Sequence, residues 1–353
     1  MRIEKLLSAI DEANLDAYIV SHEPNILYYT NSISGGKLII TPDSAPLLIT
    51  SDLNLKIAQD EVEDCDVESC TKKEVSARIL KQLKGIKPKR IGFDSLSLSQ
   101  HRELVEGFGD VELVEAPDLV WQMRKVKDHR EQDLMRRAGV ISDIGMEAIK
   151  EFLEEGVREY EVAAEAAYAM RREGAGDISF PFIVASGLRS TYPHAGVSER
   201  KIRRGDFVTV DMGAAFKHYK SDNTRTFIIG SPTKKQRDVF ETVLDANEAA
   251  LPEIRKGAKG VEVDKVARDI IEKAGYGEAF IHGLGHGVGL EVHEPPSLSK
   301  TSEDILEEGN IVSNEPGIYL KDFGIRIEDT VLVTHSSPEK LTRFDKDLDA
   351  MRI

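Results

Sequence analysis

Apolar residues along the chain switch repeatedly between helical and alternating spacing. In the first third, an amphipathic helix over residues 2–13 leads to short apolar runs at AYIV (17–20), KLIIT and PLLIT. A helix is expected near 52–61, then a strand at RIGFD (90–94), a helix over LSQHRELVEGF and a strand at VELVEA. This alternation predicts a small α/β domain with a mixed sheet. It holds no glycine-rich phosphate loop and no dense group of potential ligands. The charged segment RKVKDHREQD (124–133) then marks a boundary, which sets the expected domains at 1–123 and 124–353.

Beyond it the pattern changes. Leu134, Ala138, Ile141, Ala148 and Phe152 keep helical spacing until Gly156, and Val162, Ala166 and Ala169 begin a second helix. Strands are expected at FPFIVAS, DFVTVDMG and DNTRTFII. The order then recurs: a helix around Phe240, Val243, Leu244 and Leu251, another around Val263, Val266 and Ile270, and three strand-like stretches carrying His286, Glu315 and Glu328. Two helices followed by strands, twice over, is an internal repeat. Repeats of this kind often build a site where their halves meet.

Composition narrows the function. A chain of 353 residues is long for one core. A net charge of −15 argues against nucleic acid or an anionic membrane as the main partner. No apolar run reaches the roughly 20 residues of a membrane span. The opening MRIEKLLSAIDEANLD lacks the form of a secretory signal, which directs the expectation to the cytoplasm. Cys65 and Cys70 leave a disulfide open, although reduced thiols fit that compartment better. Charged residues at 31% hint at the ion-pair networks of thermophiles.

The chemistry lies in acids placed where a core is expected. Asp211 and Asp222 flank GAAFKHYK, which reads as the turn of a hairpin. Closed symmetrically, that hairpin sets Asp211 opposite Asp222 and Thr209 opposite Thr224. In IVSNEPGIYLKDFGIRIEDTVLV the same construction sets Glu315 opposite Glu328 and Ser313 opposite Thr330. Directly opposed like charges destabilise a sheet, and four clustered carboxylates take up protons unless cations neutralise them. Two divalent ions supply the balancing charge. IHGLGHGVGLEVHEPP adds His282, His286 and His293 among glycines that permit close backbone approach. An imidazole with carboxylates suits Mn or Co foremost, with Zn and Fe compatible. Such a set fits a dinuclear hydrolase in which the ions share a bridging water and polarise a carbonyl. Arg326, two residues before Glu328 and on its face, is placed to steady the ligands.

The ordered motifs VDMGA, KSDNTRT, GLGHGVG, NEPGIY and IRIEDT resemble those of the pita-bread metallopeptidases: Xaa-Pro aminopeptidases, prolidases and methionine aminopeptidases. The resemblance implies an α+β pita-bread catalytic domain with an internal pseudo-repeat, behind a creatinase-like α/β domain. It implies metal ligation by Asp211, Asp222, His286, Glu315 and Glu328. It further implies that Glu315 shuttles a proton, that His194 in YPHAG and His293 in VHEPP contact the substrate, and that His282 lines the pocket. The implied substrates are Xaa-Pro dipeptides or short proline-containing peptides, handled by a homodimer. Archaeal prolidases often carry an arginine shortly after HE-x-P; Ser297 stands there in this chain, which puts strict dipeptide specificity in doubt. A methionine aminopeptidase is the alternative, although those enzymes generally lack the first domain. Binding modules of this fold, and metal-free relatives such as creatinase, would show substitutions among the five ligand positions, and none is present.

Overall fold

The computed structural model describes residues 2–353, which divide into two compact units between Arg124 and Lys125. In the first unit, Ala17–Val20 lies centrally in a six-stranded mixed sheet. It pairs antiparallel with Lys37–Thr41 and parallel with Arg90–Phe93. Ile19, Ile39, Ile49 and Ile91 meet Ile79, Leu83 and Leu104 of the covering helices to form its core. Sequence periodicity passed over four of this unit's elements: the helices Glu23–Thr30, Val75–Lys84 and Asp118–Arg124, and the strand Asp66–Ser69. Glu23–Thr30 has only eight residues and buries five of them, so it presents little apolar stripe against a polar face.

The second unit contains the expected repeat. The helices His129–Phe152 and Glu159–Arg172 precede a sheet in which Phe207–Met212 runs between Ile183–Ser186 and Asn223–Ile228. The helices Lys234–Ala250 and Gly260–Lys273 precede a sheet in which Ile311–Asn314 runs between Gly285–Gly287 and Asp329–Leu332. Capping boxes at Asp128/Glu131 and Thr233/Gln236 define where the first helix of each pair begins. A bridge between Thr224 and Glu328 joins the two sheets, with Glu328 N donating to Thr224 O at 3.0 Å. Beside it, Thr330 Oγ1 donates to Asp222 O at 2.6 Å and accepts from Asp222 N at 3.0 Å. The halves therefore meet at the residues flanking the acids.

The register of the first hairpin differs from the expected one. Asp211 pairs with Thr224, and Thr209 pairs with Thr226, their hydroxyls 3.2 Å apart. The turn is centred on Lys217 and His218, both at positive φ, as a two-residue primed turn requires. That places it one residue later than the symmetric closure. Continuing the ladder sets Asp222 opposite Gly213, where a Cβ would lie 1.9 Å from Ser221 O. The displacement is two positions along one strand, so both acids keep the same face; a slip of one would have separated them. In the second hairpin Ser313 pairs with Thr330 as expected, and Gly317 pairs with Arg326 beyond the glutamates.

Every residue of Asn223–Ile228 is buried, including Arg225. Its guanidinium bonds Asp329 Oδ1 at 2.7 Å, Asn223 Oδ1 at 2.9 Å and Asp345 O at 2.8 Å. It also donates to the carbonyls of Glu328 and Phe344. Cys65 and Cys70 are both free. Among the described residues no helix is long and apolar enough to cross a membrane. Replacing Arg225 strands several buried acceptors and leaves Asp329 short of its closest cation. Arg225→Met is therefore expected to cost about 3–5 kcal/mol, read as a lower urea midpoint at unchanged slope.

Candidate active site

Five elements deliver the acids and His286 to one place. Asp211 sits near the end of Phe207–Met212, and Asp222 immediately precedes Asn223–Ile228. His286 is the middle residue of Gly285–Gly287. Glu315 directly follows Ile311–Asn314, and Glu328 directly precedes Asp329–Leu332. All five line a cavity of about 980 Å³, together with His194, His282, His293, Ser297 and Arg326. His286 Nε2 lies 3.0 Å from Glu315 Oε1 and 3.8 Å from Asp222 Oδ2. Asp222, His286 and Glu328 each present a ligand atom within 4.8 Å of the others. The glycines around His286 serve the close approach: a Cβ on Gly285 would lie 2.1 Å from Ser313 O.

Neutral or cationic donors hold one oxygen of three of the acids. Arg326 Nη2 donates to Asp211 Oδ2 at 2.7 Å, and Thr224 Oγ1 donates to Glu328 Oε2 at 2.7 Å. Ser313 Oγ donates to Glu315 Oε1 at 3.0 Å while accepting from His286 N at 3.0 Å. Burial, then the charges of Glu328 and Asp211, push Asp222 well above the usual carboxylate range. Burial and Glu315 do the same to Glu328. Asp211 is raised by burial, against the pull of Arg326. Glu315 goes the other way: burial opposes ionisation, but the hydrogen bond and charge of His286 keep it low. His286 is correspondingly raised, Glu315 outweighing its burial.

Asp211 Oδ1 and Glu328 Oε1 are buried with no hydrogen-bond partner among the described residues. A buried, partnerless carboxylate oxygen is costly, and two in one acidic cavity match a cation site. The donor set of carboxylates and one imidazole, without thiolate, suits divalent ions that accept oxygen and nitrogen ligands.

The remaining histidines are distributed around this cluster. The His293 ring lies 4.2 Å from that of His286. Both His194 and His293 are exposed towards the cavity. His282 Nε2 meets Tyr319 OH at 2.9 Å, and Arg326 Nη1 donates to the same hydroxyl at 2.7 Å. Tyr319 thereby joins His282 to Arg326 and Asp211. Its only signal in the sequence is its place on the hairpin, in register with Gly324 and two positions from Arg326's partner Gly317. Ser297 Oγ donates to Ser299 Oγ at 3.3 Å, and its N–H to Asp304 Oδ2 at 2.8 Å. It brings no charge to the cavity wall.

Comparison with known proteins shows the family of both units. Residues 133–335 match the model of metallopeptidase family M24, and residues 2–126 match the creatinase/prolidase N-terminal domain. An Xaa-Pro dipeptidase of Pyrococcus horikoshii is 38% identical over 98% of both chains. The crystal structure of the prolidase from that organism superposes with a TM-score of 0.93 at 37% identity, covering 98% of this chain and 99% of the other. The X-Pro aminopeptidase from Thermotoga maritima gives 0.91 at 35% identity, covering 99% of each chain. With a matched catalytic unit, a matched first unit and full-length relatives of the same architecture, the chain belongs to metallopeptidase family M24.

Proposed function

We propose that this protein hydrolyses the Xaa-Pro bond at the N-terminus of dipeptides and short peptides, with Asp211, Asp222, His286, Glu315 and Glu328 holding two divalent metal ions. The carrying observation is the carboxylate cluster in which two buried oxygens, Asp211 Oδ1 and Glu328 Oε1, have no partner among the described residues. The full-length likeness to an Xaa-Pro dipeptidase supports the substrate class. Bound divalent ions polarise a scissile carbonyl and make water a nucleophile at neutral pH.

The chain's own residues supply orientation and proton movement. Arg326 fixes Asp211 and, through Tyr319, the wall of the cavity. Glu315 takes a proton from the attacking water and delivers it to the prolyl nitrogen, which carries no hydrogen of its own. His194 and His293, exposed to the cavity, bind the substrate beside the scissile bond. Neutral Ser297 offers no counter-charge for a dipeptide's free carboxylate, which favours accepting peptides that continue beyond the proline. Manganese or cobalt fits the oxygen-rich donor set best. We place the enzyme in the cytoplasm as a homodimer; the free cysteines support the compartment, and the pita-bread resemblance the assembly.

Removing divalent metal abolishes turnover, and restoring manganese or cobalt returns it. Loading displaces protons held by Asp222 and Glu328, whose affinity for them is raised. Metal affinity therefore rises with pH, and calorimetry in buffers of different ionisation enthalpy registers proton release. Full activity after exhaustive chelation would refute the assignment.

Glu315→Gln is expected to lower kcat by about 10²–10⁴-fold with a smaller change in KM. Near-native turnover would remove Glu315 from proton transfer.

For specificity, Ala-Pro and Met-Pro are cleaved, Ala-Pro-Ala is cleaved at a measurable rate, and Met-Ala-Ser is poor. Comparing kcat/KM under identical metal loading tests this. Preference for Met-Ala-Ser would turn the reading to methionine removal.

A further inference from the structure

His194 is held by its backbone. It stands exposed on the segment 186–198, and no side-chain hydrogen bond fixes its ring among the described residues. The stems of that segment converge on one acid. Glu159, the first residue of the helix Glu159–Arg172, is fully buried. Its carboxylate accepts from Ser186 N at 2.8 Å, Ser186 Oγ at 2.7 Å, Arg189 Nε at 2.9 Å and Ser198 Oγ at 2.6 Å. These four donors come from both ends of the segment. A buried carboxylate is tolerated only when so saturated, and the helix N-terminus adds its own favourable field. Opening the segment would remove the four donors together.

Arg189 carries the constraint forward. Its Nη2 donates to Ala195 O at 2.8 Å, on the residue directly after His194. From the opposite side, Ser190 Oγ accepts from Gly324 N at 2.9 Å, and Arg326 Nη1 approaches Pro193 O at 3.4 Å. The residues on either side of His194 are thus bound from two directions, one leading to Glu159 and the other to the arginine on Asp211. Gly187 turns at φ +54, where a Cβ would meet the Arg200 guanidinium at 2.6 Å.

We propose that Glu159 and Arg189 are positioning residues: together they clamp the 186–198 segment so that His194 is presented to the substrate in one orientation. This rests on the reading of His194 as a substrate contact. Neither residue reaches the metal-ligand cluster, so their loss acts on the reaction through His194 and leaves metal binding intact.

The test is a mutant cycle on the full-length, metal-loaded enzyme with Ala-Pro as substrate. Variants are Glu159→Gln, Arg189→Met, His194→Ala and the double variant Arg189→Met/His194→Ala, each with metal content and melting temperature measured. Misplacement on the order of 1 Å costs about 10²-fold in rate. Arg189→Met and Glu159→Gln are expected to lower kcat/KM by up to that factor with full metal content. The double variant should match His194→Ala alone, because clamp and histidine form one unit. Arg189, whose side chain is 27% exposed, carries the test should Glu159→Gln fail to fold. Wild-type kcat/KM in Arg189→Met beside an impaired His194→Ala would overturn the clamp and leave the reading of His194 standing. Losses that multiply in the double variant would also overturn it. Wild-type activity in His194→Ala would defeat the underlying reading, and the proposal with it.

Discussion

Four carboxylates set side by side, three of them buried and Glu315 partly so, are the constraint to which the rest of the catalytic unit answers. Each would rather be hydrated, and each raises the cost of ionising its neighbours. The protein relieves this only in part. Arg326, Thr224 and Ser313 each quiet one oxygen, while Asp211 Oδ1 and Glu328 Oε1 are left without a partner among the described residues. A fully satisfied set would have been a stable hydrogen-bond network with no affinity for cations. The incomplete satisfaction is what makes the cavity a receptor for charge.

Such a site cannot be assembled from one hairpin. Each half of the repeat contributes two acids, and the halves are joined by hydrogen bonds at Thr224–Glu328 and Asp222–Thr330. The backbone contacts that unite the sheets are therefore made by the acids or by residues close beside them. Arg225 is the counterpart on the other face of the same strand. It ties Asp329 and the carbonyl of Glu328 to residues 344 and 345. Stability and ligand geometry share these few residues, so neither can be altered in isolation.

The repeat, the two helix pairs and the acidic strands were legible because their signals are periodic and local. The pairing of Ser313 with Thr330 followed from symmetry alone. The first hairpin did not, because Lys217 and His218 adopt positive φ without the Asn-Gly signature that usually announces such a turn. The displacement of two positions left the face of Asp211 and Asp222 unchanged, so the two acids still line one cavity despite the different register. Arg225, Glu159 and Tyr319 escaped notice for a different reason. A lone charged or aromatic residue reads the same whether it meets solvent or a buried partner far away in sequence. In the first unit, the short helix Glu23–Thr30 was missed because nearly all its faces are covered.

The last residues of the chain have a place in the order of synthesis. Ile353 N donates to Ile228 O, and Gly230 N to Ile353 O, at 3.0 and 2.8 Å, beside the strand that Asp222 precedes. On a translating ribosome, Asp211 and Asp222 leave the exit tunnel long before Glu328, Phe344 and Ile353 exist. During that interval the first two acids have no opposing hairpin, and the strand Asn223–Ile228 lacks its partners from the second half. The arrangement seen in the folded protein, which uses contacts from Glu328, Phe344 and Ile353, cannot be completed before those residues are made.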